Sequence, residues 1–264
     1  MSNQFNPTLA YLYRRWLVRQ LIKEIPKGRF LEVGIGSGNL YIELLVSGST
    51  GLCVDFNRTL VEAHQCQKTE SDEVEFKAMD FFDLNGLFDL VLAFEVLEHY
   101  EEDLKCLERF WELLKPNGLL LISVPAHGHR WTSNDTAAGH ARRYEKVEII
   151  RKIELSGFKV KSCWCYGFPV LNWTYPLSSA LFPNRKRGTF PKGSTQGVSI
   201  TSRTLMNYEK THQSGTRIFV RFSKWLLKEW LWLPLLQMQW PTLNRDIGIG
   251  YIIKCQKINS KDYR

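Results

Sequence analysis

Two patterns of hydrophobic residues alternate along the first half of the chain: a helical spacing and short apolar runs. Residues 8–25 place apolar side chains every three to four positions with Arg and Lys between them, and Pro26 follows, so the pattern predicts an amphipathic helix. Short and nearly continuous apolar runs come next, as is typical of strands buried on both faces of a sheet. These runs occupy residues 29–35, 51–56, 74–79, 88–94 and 118–125.

Helical patterns separate these runs, at residues 39–48, 59–67 and 101–115. Strands that alternate with helices favour right-handed crossovers and a doubly wound parallel sheet. Sheets of this kind bind their ligands at the carboxyl ends of the strands. The sequence therefore predicts an α/β fold with a ligand site at that edge.

The alternation stops after a sixth strand pattern at residues 158–168, and a last strand pattern follows only at 247–257. The intervening stretch is rich in Trp, Leu and Lys and contains helical patterns. We therefore expect a ligand-binding domain formed by residues 1–168 plus 246–264. A mainly helical, aromatic-rich cap at 169–245 would interrupt this domain before its last strand.

Composition and charge narrow the class of protein. The 264 residues carry 35 Lys and Arg against 27 Asp and Glu, and the net charge of +8 suits an anionic substrate, a phospholipid surface or nucleic acid. The six Cys are scattered without a C-x-x-C pair, which predicts free thiols and no metal. Because the first residues are polar and no run reaches about eighteen apolar residues, we expect a reducing, cytoplasmic location without a spanning helix.

A glycine-rich turn follows the first predicted strand, and it reads Glu32-Val-Gly34-Ile-Gly36-Ser-Gly38. Glycines in such a turn let backbone N–H groups approach a ligand closely, although a simple tight turn has the same composition. No Gly-Lys-Ser/Thr follows, so the turn is not a P-loop. Asp55 ends the second strand, where a carboxylate can accept hydrogen bonds from both hydroxyls of a ribose.

Asp80 follows the third strand and precedes Phe81 and Phe82, which can form an apolar wall for a purine. Three acids near the ends of three successive strands meet at one edge of the sheet, and together they predict a nucleotide-like ligand. A nucleotide-binding oxidoreductase is the alternative. The glycine spacing differs from G-x-G-x-x-G, however, and Asp80 has no role in a dinucleotide fold.

Taken in order with FDLVLAFEVLEH at 88–99 and LKPNGLLLISVP at 114–125, these motifs resemble class I S-adenosylmethionine-dependent methyltransferases. The resemblance covers about residues 28–165 plus the final strand. It implies a Rossmann-like seven-stranded sheet whose last strand is antiparallel, with S-adenosylmethionine as cofactor. By this resemblance the cofactor would contact Glu32, Gly34, Gly36, Gly38, Asp55, Phe56, Asp80, Phe81 and Glu95.

A polar segment at residues 135–144, after the fifth predicted strand, is similar to one found in some members of this class. Those members act on small molecules, glycans and lipid-linked acceptors. His140 is a candidate base, with Asp135 to orient it, because a group of near-neutral pKa suits proton removal; Tyr144 is a further catalytic candidate. In the alternative interpretation His140 and the neighbouring arginines only tie the loop to acidic helix ends. The candidates for contact with the methyl acceptor are Arg142, Arg143, His127 and Trp131.

The predicted function is methyl transfer to an oxygen or nitrogen of a small, amphipathic or lipid-linked acceptor. Trp and Lys side chains in residues 221–240 suit a lipid interface, which predicts peripheral membrane contact, and an interior cap helix is the alternative. A nucleic-acid partner is disfavoured because no dense basic stripe occurs. A protein with this fold that binds S-adenosylmethionine without catalysis remains a third class.

Overall fold

The computed structural model describes residues 8–36, 38–68, 73–181 and 229–258. Seven strands within these residues form one sheet. In chain order they are β1 (Arg29–Val33), β2 (Thr50–Asp55), β3 (Val74–Ala78), β4 (Phe88–Phe94), β5 (Leu114–Pro125), β6 (Phe158–Tyr166) and β7 (Gly250–Lys257).

The strands lie in the order β3-β2-β1-β4-β5-β7-β6 across the sheet. The first five strands run parallel to one another, whereas β7 is antiparallel to both β5 and β6. The predicted Rossmann-like sheet and its antiparallel last strand are therefore confirmed. From β1 the chain adds β2 and β3 towards one edge of the sheet, and it then adds β4 on the other side of β1. The carboxyl ends of β1 and β4 therefore border the crevice in which α/β proteins of this kind bind ligands.

The helices largely follow the predicted pattern. The first one begins at a Thr8 side chain that accepts a hydrogen bond from the Tyr11 backbone N–H, and it ends at Ile22, three residues before the predicted end. The early end is expected from Pro26, which disfavours the helical conformation of the residue before it. The helices are α1 (Leu9–Ile22), α2 (Tyr41–Val46), α3 (Arg58–Gln65), α4 (Asp103–Leu113), α5 (Ser133–Ala138), α6 (Lys146–Leu155), α7 (Val170–Leu181) and α8 (Glu229–Met238).

Two apolar cores cover the two faces of the sheet. On one face, α4 and α6 contribute Phe110 and Ile149, which are fully buried. On the other face, α1 contributes Leu17, and Leu236 of α8 packs into the same core. Burying one such side chain stabilises the fold by about 1.5–3 kcal/mol, so both helical layers fix the sheet firmly.

The structure describes the predicted cap only at its two ends, α7 and α8. Trp232 packs partly buried against the core, which agrees with an interior position for this part of the segment. Trp173 and Trp240, by contrast, are 79% and 53% exposed. Trp225 and the Arg- and Lys-containing residues 183–194 lie outside the described residues. The predicted domain boundaries stay a prediction. Within the described part of the chain, no helix combines the length and apolar character that a membrane span requires.

Candidate functional site

The turn after β1 forms an open cradle at the carboxyl edge of the sheet. Gly34 and Gly36 have φ values of +72° and +52°, which L side chains rarely adopt. A Cβ on Gly34 would lie 2.8 Å from Val96 Cγ2, whereas a Cβ on Gly36 would meet nothing within 4 Å. Gly38 instead lies under the Tyr11 ring of α1. Of these three glycines, Gly36 is therefore the one that faces open space.

Backbone groups hold the Asp55 carboxylate at the end of β2. Its Oδ2 accepts a hydrogen bond from Gly36 N at 3.1 Å, and its Oδ1 accepts one from Asn57 N at 2.8 Å. Burial raises the pKa of Asp55, and the two backbone donors limit the rise. Each carboxylate oxygen keeps acceptor capacity for a further donor. Phe56, the next residue, is half-buried beside it.

Glu32 is buried in β1, next to the glycine turn. Its Oε2 has no hydrogen-bond partner among the described residues, while the Tyr41 backbone N–H donates to the carboxyl group. Burial raises the pKa of Glu32 to about 8. Since buried polar atoms are nearly always hydrogen-bonded, this oxygen marks a place where a ligand can supply the donor.

Asp80 begins a short 3₁₀ turn after β3, and its Oδ1 accepts a hydrogen bond from Phe82 N at 3.0 Å. The ring of Phe81 points into the core, with its centroid 5.1 Å from that of Phe110. The Phe82 ring is only partly buried. Of the two aromatic residues that the sequence predicts as an apolar wall beside Asp80, the structure therefore leaves only Phe82 partly exposed, and Phe81 belongs to the core.

A buried cluster of charges lies after β5. Asp135 is fully buried and accepts hydrogen bonds from Arg143 Nε and Nη2 at 2.8 and 3.0 Å. His140 Nδ1 lies 3.0 Å from Asp135 Oδ1. Burial alone would raise the pKa of Asp135, but the hydrogen bonds and charges of His140 and Arg143 hold it at about 2. Asp135 is therefore ionised and orients the His140 ring.

The other side of His140 faces Glu98 and His99. Glu98 is fully buried, its carboxylate oxygens have no hydrogen-bond partner in the described part of the chain, and its Oε1 lies 3.8 Å from His140 Nε2. Burial, together with the charges of Glu95 and Asp135, raises the pKa of Glu98 well above its usual range. Burial lowers the pKa of His99 to about 4, and its ring packs edge-on against His140 at 4.9 Å.

Glu95 ends β4 in a left-handed conformation, with φ +56°. Its Oε1 accepts a hydrogen bond from Ser123 Oγ at 2.9 Å and lies 3.1 Å from Arg14 Nη1. Arg14 reaches this edge from α1, and the sequence analysis missed it. The signal was available, because Arg14 lies three residues after Tyr11 and four before Val18, both on the buried face of the helix.

Two of the predicted residues, Tyr144 and Arg142, are bonded to Asp103. The Tyr144 hydroxyl is fully buried and donates to Asp103 Oδ2 at 2.9 Å. Arg142 Nη1 lies 3.4 Å from the same Asp103 oxygen, and its Nη2 donates to Glu101 O at 2.7 Å. The structure therefore does not bring Tyr144 to the His140 ring as a catalytic group, because its proton is committed to Asp103.

The remaining predicted contacts of the methyl acceptor also have partners within the protein. Arg143 uses its third donor group on Ala126 O at 3.0 Å, so it acts as a structural residue of the buried cluster. His127 is buried after β5, between two carboxylates. Trp131 is 41% exposed, and its Nε1 donates to Thr136 Oγ1 at 3.0 Å. Of these residues, Trp131 has the surface that remains most open to a ligand.

Comparison with known proteins gives a consistent result. A family model described as a methyltransferase domain matches residues 5–162. The trans-aconitate 2-methyltransferase of Deinococcus radiodurans is 27% identical over 143 residues, which are 53% of this chain and 52% of that protein. A ubiquinone biosynthesis O-methyltransferase of Xanthomonas campestris pv. campestris is 30% identical over 134 residues, 49% of this chain and 53% of that protein. The chain thus spans about half the length of the curated relatives it matches.

A solved structure extends the likeness to nearly the whole chain. The S-adenosylmethionine-dependent methyltransferase from Mesorhizobium loti aligns with a TM-score of 0.52 over 93% of this chain and 98% of that one. The sequence identity is 12%, so this comparison concerns the fold alone.

Proposed function

The chain belongs to the methyltransferase-domain family, and from this premise we propose that it transfers the methyl group of S-adenosylmethionine to a small-molecule acceptor. The family confirms the predicted cofactor. When bound, S-adenosylmethionine supplies a methyl group that its sulfonium makes electrophilic. The residues of the chain then have to align the acceptor with that methyl group, exclude water and receive a proton.

The glycine turn and the three strand-end acids fit this cofactor. Asp55 is positioned by two backbone donors and keeps lone pairs for the ribose hydroxyls. Gly36 leaves the space beside Asp55 open, and the unpartnered Oε2 of Glu32 can accept from an ammonium group. Asp80 can accept from the adenine amine, with Phe82 as the apolar surface beside it. These assignments follow the resemblance and are part of the proposal.

The observation that carries the proposed chemistry is the pairing of His140 with Asp135. Because Asp135 is ionised, it accepts from His140 Nδ1–H and leaves the lone pair on Nε2. Nε2 can then take the proton from an acceptor hydroxyl or amine as the methyl group is transferred. The imidazolium formed in this step is stabilised by the Asp135 carboxylate at 3.0 Å.

The acceptor that we propose is small and amphipathic or lipid-linked, with an oxygen or nitrogen nucleophile. The relatives are described as acting on trans-aconitate and in ubiquinone biosynthesis, both of which involve small molecules. Exposed apolar side chains on α7 and before β7 support contact with a lipid surface. They are Trp173, Leu177 and Trp240.

A labelled-methyl assay tests this function. The full chain is incubated with methyl-labelled S-adenosylmethionine and three acceptors: a small tricarboxylate, a hydroxylated quinone precursor with a polyprenyl tail, and the same precursor without the tail. We expect labelled product from the quinone precursors, with the tailed form preferred in anionic vesicles. Cofactor binding without transfer to any acceptor would favour the non-catalytic class, and transfer to the tricarboxylate alone would contradict the amphipathic acceptor.

The lipid contact is tested separately with Trp173→Ala. This variant should bind anionic vesicles more weakly and lose turnover on the tailed acceptor, while turnover on the tail-less form is unchanged. Equal vesicle flotation of the variant and the wild-type protein would remove the membrane part of the proposal and leave the methyl transfer untouched.

A further inference from the structure

A second group of polar side chains lies where three segments of the chain meet. His127 follows β5, Cys165 is near the end of β6, and Asp246 precedes β7. A ligand-type atom from each of the three side chains lies within 4.8 Å of the other two. The group shares no residue with the glycine turn or with the Asp135–His140 pair, and the proposed methyl transfer does not use it.

His127 is held in an unusual state. Its backbone has φ +61°, a conformation that non-glycine residues seldom adopt, and its side chain is almost fully buried. Nδ1 lies 3.3 Å from Glu145 Oε2, which favours a proton on that nitrogen. Nε2 has no hydrogen-bond partner among the described residues and lies 3.5 Å from Asp246 Oδ1. A lone pair on Nε2 therefore faces a carboxylate oxygen, and a cation between them would relieve the repulsion.

Hydrogen bonds also hold the side chains of Asp246 and Cys165. The Tyr251 hydroxyl donates to Asp246 Oδ1 at 2.6 Å, which fixes the carboxylate. Gly248 N donates to Cys165 Sγ at 3.0 Å, so a backbone N–H already contacts the sulfur that would become a ligand. Cys165 is buried, whereas the Asp246 side chain is 43% exposed. The group thus has a route from solvent on the Asp246 side.

We propose that His127, Cys165 and Asp246 bind a zinc-type divalent cation. One imidazole nitrogen, one thiolate and one carboxylate oxygen form a ligand set that Zn²⁺ accepts, and a water molecule from the exposed side would complete a tetrahedron. Glu145 on the other nitrogen of His127 is the outer partner that metal-bound imidazoles usually have. Binding displaces the thiol proton of Cys165 to water.

Such a cation would join the segment that leads into β7 to the ends of β5 and β6. The sequence predicts no metal because the ligands come from three distant positions and no pair is closely spaced. Only the fold brings them together, since β7 pairs with both other strands.

Cobalt and zinc titrations test the site on the full chain after treatment with a chelator under reducing conditions. Cobalt reports on the ligands, because a thiolate ligand gives a charge-transfer band in the near ultraviolet. We expect one equivalent of cobalt with this band, its displacement by zinc, and a zinc-dependent rise in the melting temperature. His127→Ala and Cys165→Ser should each abolish the band and the rise.

Two control variants keep the test specific. Cys163→Ser changes a thiol two residues earlier on the same strand, outside the group, and should bind as the wild-type protein does. Asp246→Asn alters a partly exposed ligand without opening the core and should weaken binding at least tenfold while circular dichroism remains native. Absence of cobalt uptake, a bound cobalt without the thiolate band, or full binding by Cys165→Ser would each overturn the proposal.

Discussion

The two sides of the carboxyl edge of the sheet satisfy their polar groups in different ways. On the proposed cofactor side, which we call the cofactor side and which is formed by Glu32, Gly36 and Asp55, backbone N–H groups position the carboxylates and leave acceptor capacity unused. On the proposed methyl-acceptor side, which we call the methyl-acceptor side and which is formed by residues 126–144 and their neighbours, charged side chains hold one another. There Arg143 has donor groups bonded to Asp135 and Ala126.

This difference shows how a charged residue near a site should be assessed. A carboxylate held by backbone donors is available to a ligand, whereas a guanidinium with its donors bonded inside the protein is part of the scaffold. Removing one member of a buried pair leaves the other charge uncompensated, which is far more costly than losing an exposed pair. The four predictions that follow test the contrast between the two sides.

The largest effect is expected on the methyl-acceptor side from His140→Ala. Loss of the base should lower turnover on an oxygen acceptor by about 10²–10⁴, while the affinity for S-adenosylmethionine stays the same. Steady-state kinetics and calorimetry measure the two quantities. The exposed His129 provides the control, and His129→Ala should retain the wild-type rate. A near-normal rate in His140→Ala would show that the proton leaves by another route.

Asp135→Ala should have the next largest effect, on the free energy of unfolding. It leaves the Arg143 guanidinium buried without its counter-ion and removes the Thr132 hydrogen bonds at the start of α5, at a cost of about 3–5 kcal/mol. Asp89→Ala, which breaks an exposed pair with Lys115, should cost below about 1 kcal/mol. Chemical denaturation measures both. Equal losses would mean that the methyl-acceptor side is not a buried scaffold.

On the cofactor side, Asp55→Ala should weaken cofactor binding more than it affects the fold. Losing charge-assisted bonds to two hydroxyls costs about 1.5–3 kcal/mol, which corresponds to a roughly 10- to 100-fold higher Kd by calorimetry. Asp89→Ala serves again as the control and should bind normally. Tight binding of NAD in place of S-adenosylmethionine would contradict the assignment of this side.

The smallest effect, counted per pH unit, concerns the pH dependence of stability in the absence of cofactor. Because burial raises the pKa of Glu32 from about 4.5 to about 8, the folded state binds a proton more strongly than the unfolded state does. This contribution to stability is complete below about pH 4.5 and is lost as the pH rises towards 8, by at most about 1.4 kcal/mol per pH unit. Glu32→Gln should abolish this slope, and parallel pH profiles of the two proteins would show that Glu32 is ionised throughout.

Much of the fold could be predicted, because its strands and helices follow from the spacing of apolar residues along the chain. The apolar run at 88–94 coincides with β4, and the late position of β7 follows from the interrupted alternation. The start of β5 at Leu114 was missed, since the polar residues before Gly118 conceal the strand. Leu114 is nevertheless buried and pairs with Phe88 across an irregularity in the register, which only the assembled sheet determines.

The candidate site could be predicted only where its residues lie next in sequence to the strands that position them. Asp55 and the glycine turn come directly after strands that the spacing of apolar residues predicts. The structure places them together through the hydrogen bond from Gly36 N to Asp55. The helical spacing places Arg14 on the buried face of α1, but it does not identify Glu95 as its partner, because α1 precedes the whole sheet in the chain. The same limit applies to Tyr144, whose commitment to Asp103 depends on how α4 packs.

The position of β7 has a consequence for biosynthesis. Of the seven strands of the sheet, β7 is synthesised last, yet it must enter between β5 and β6, and Pro125 pairs with Gly250 more than a hundred positions away. Until then β5 and β6 have no partner on the sides that β7 will occupy. Closing such distant contacts is slow, and the waiting strand edges can associate with other chains. We therefore expect the incomplete sheet to be prone to association with other chains until β7 has been added.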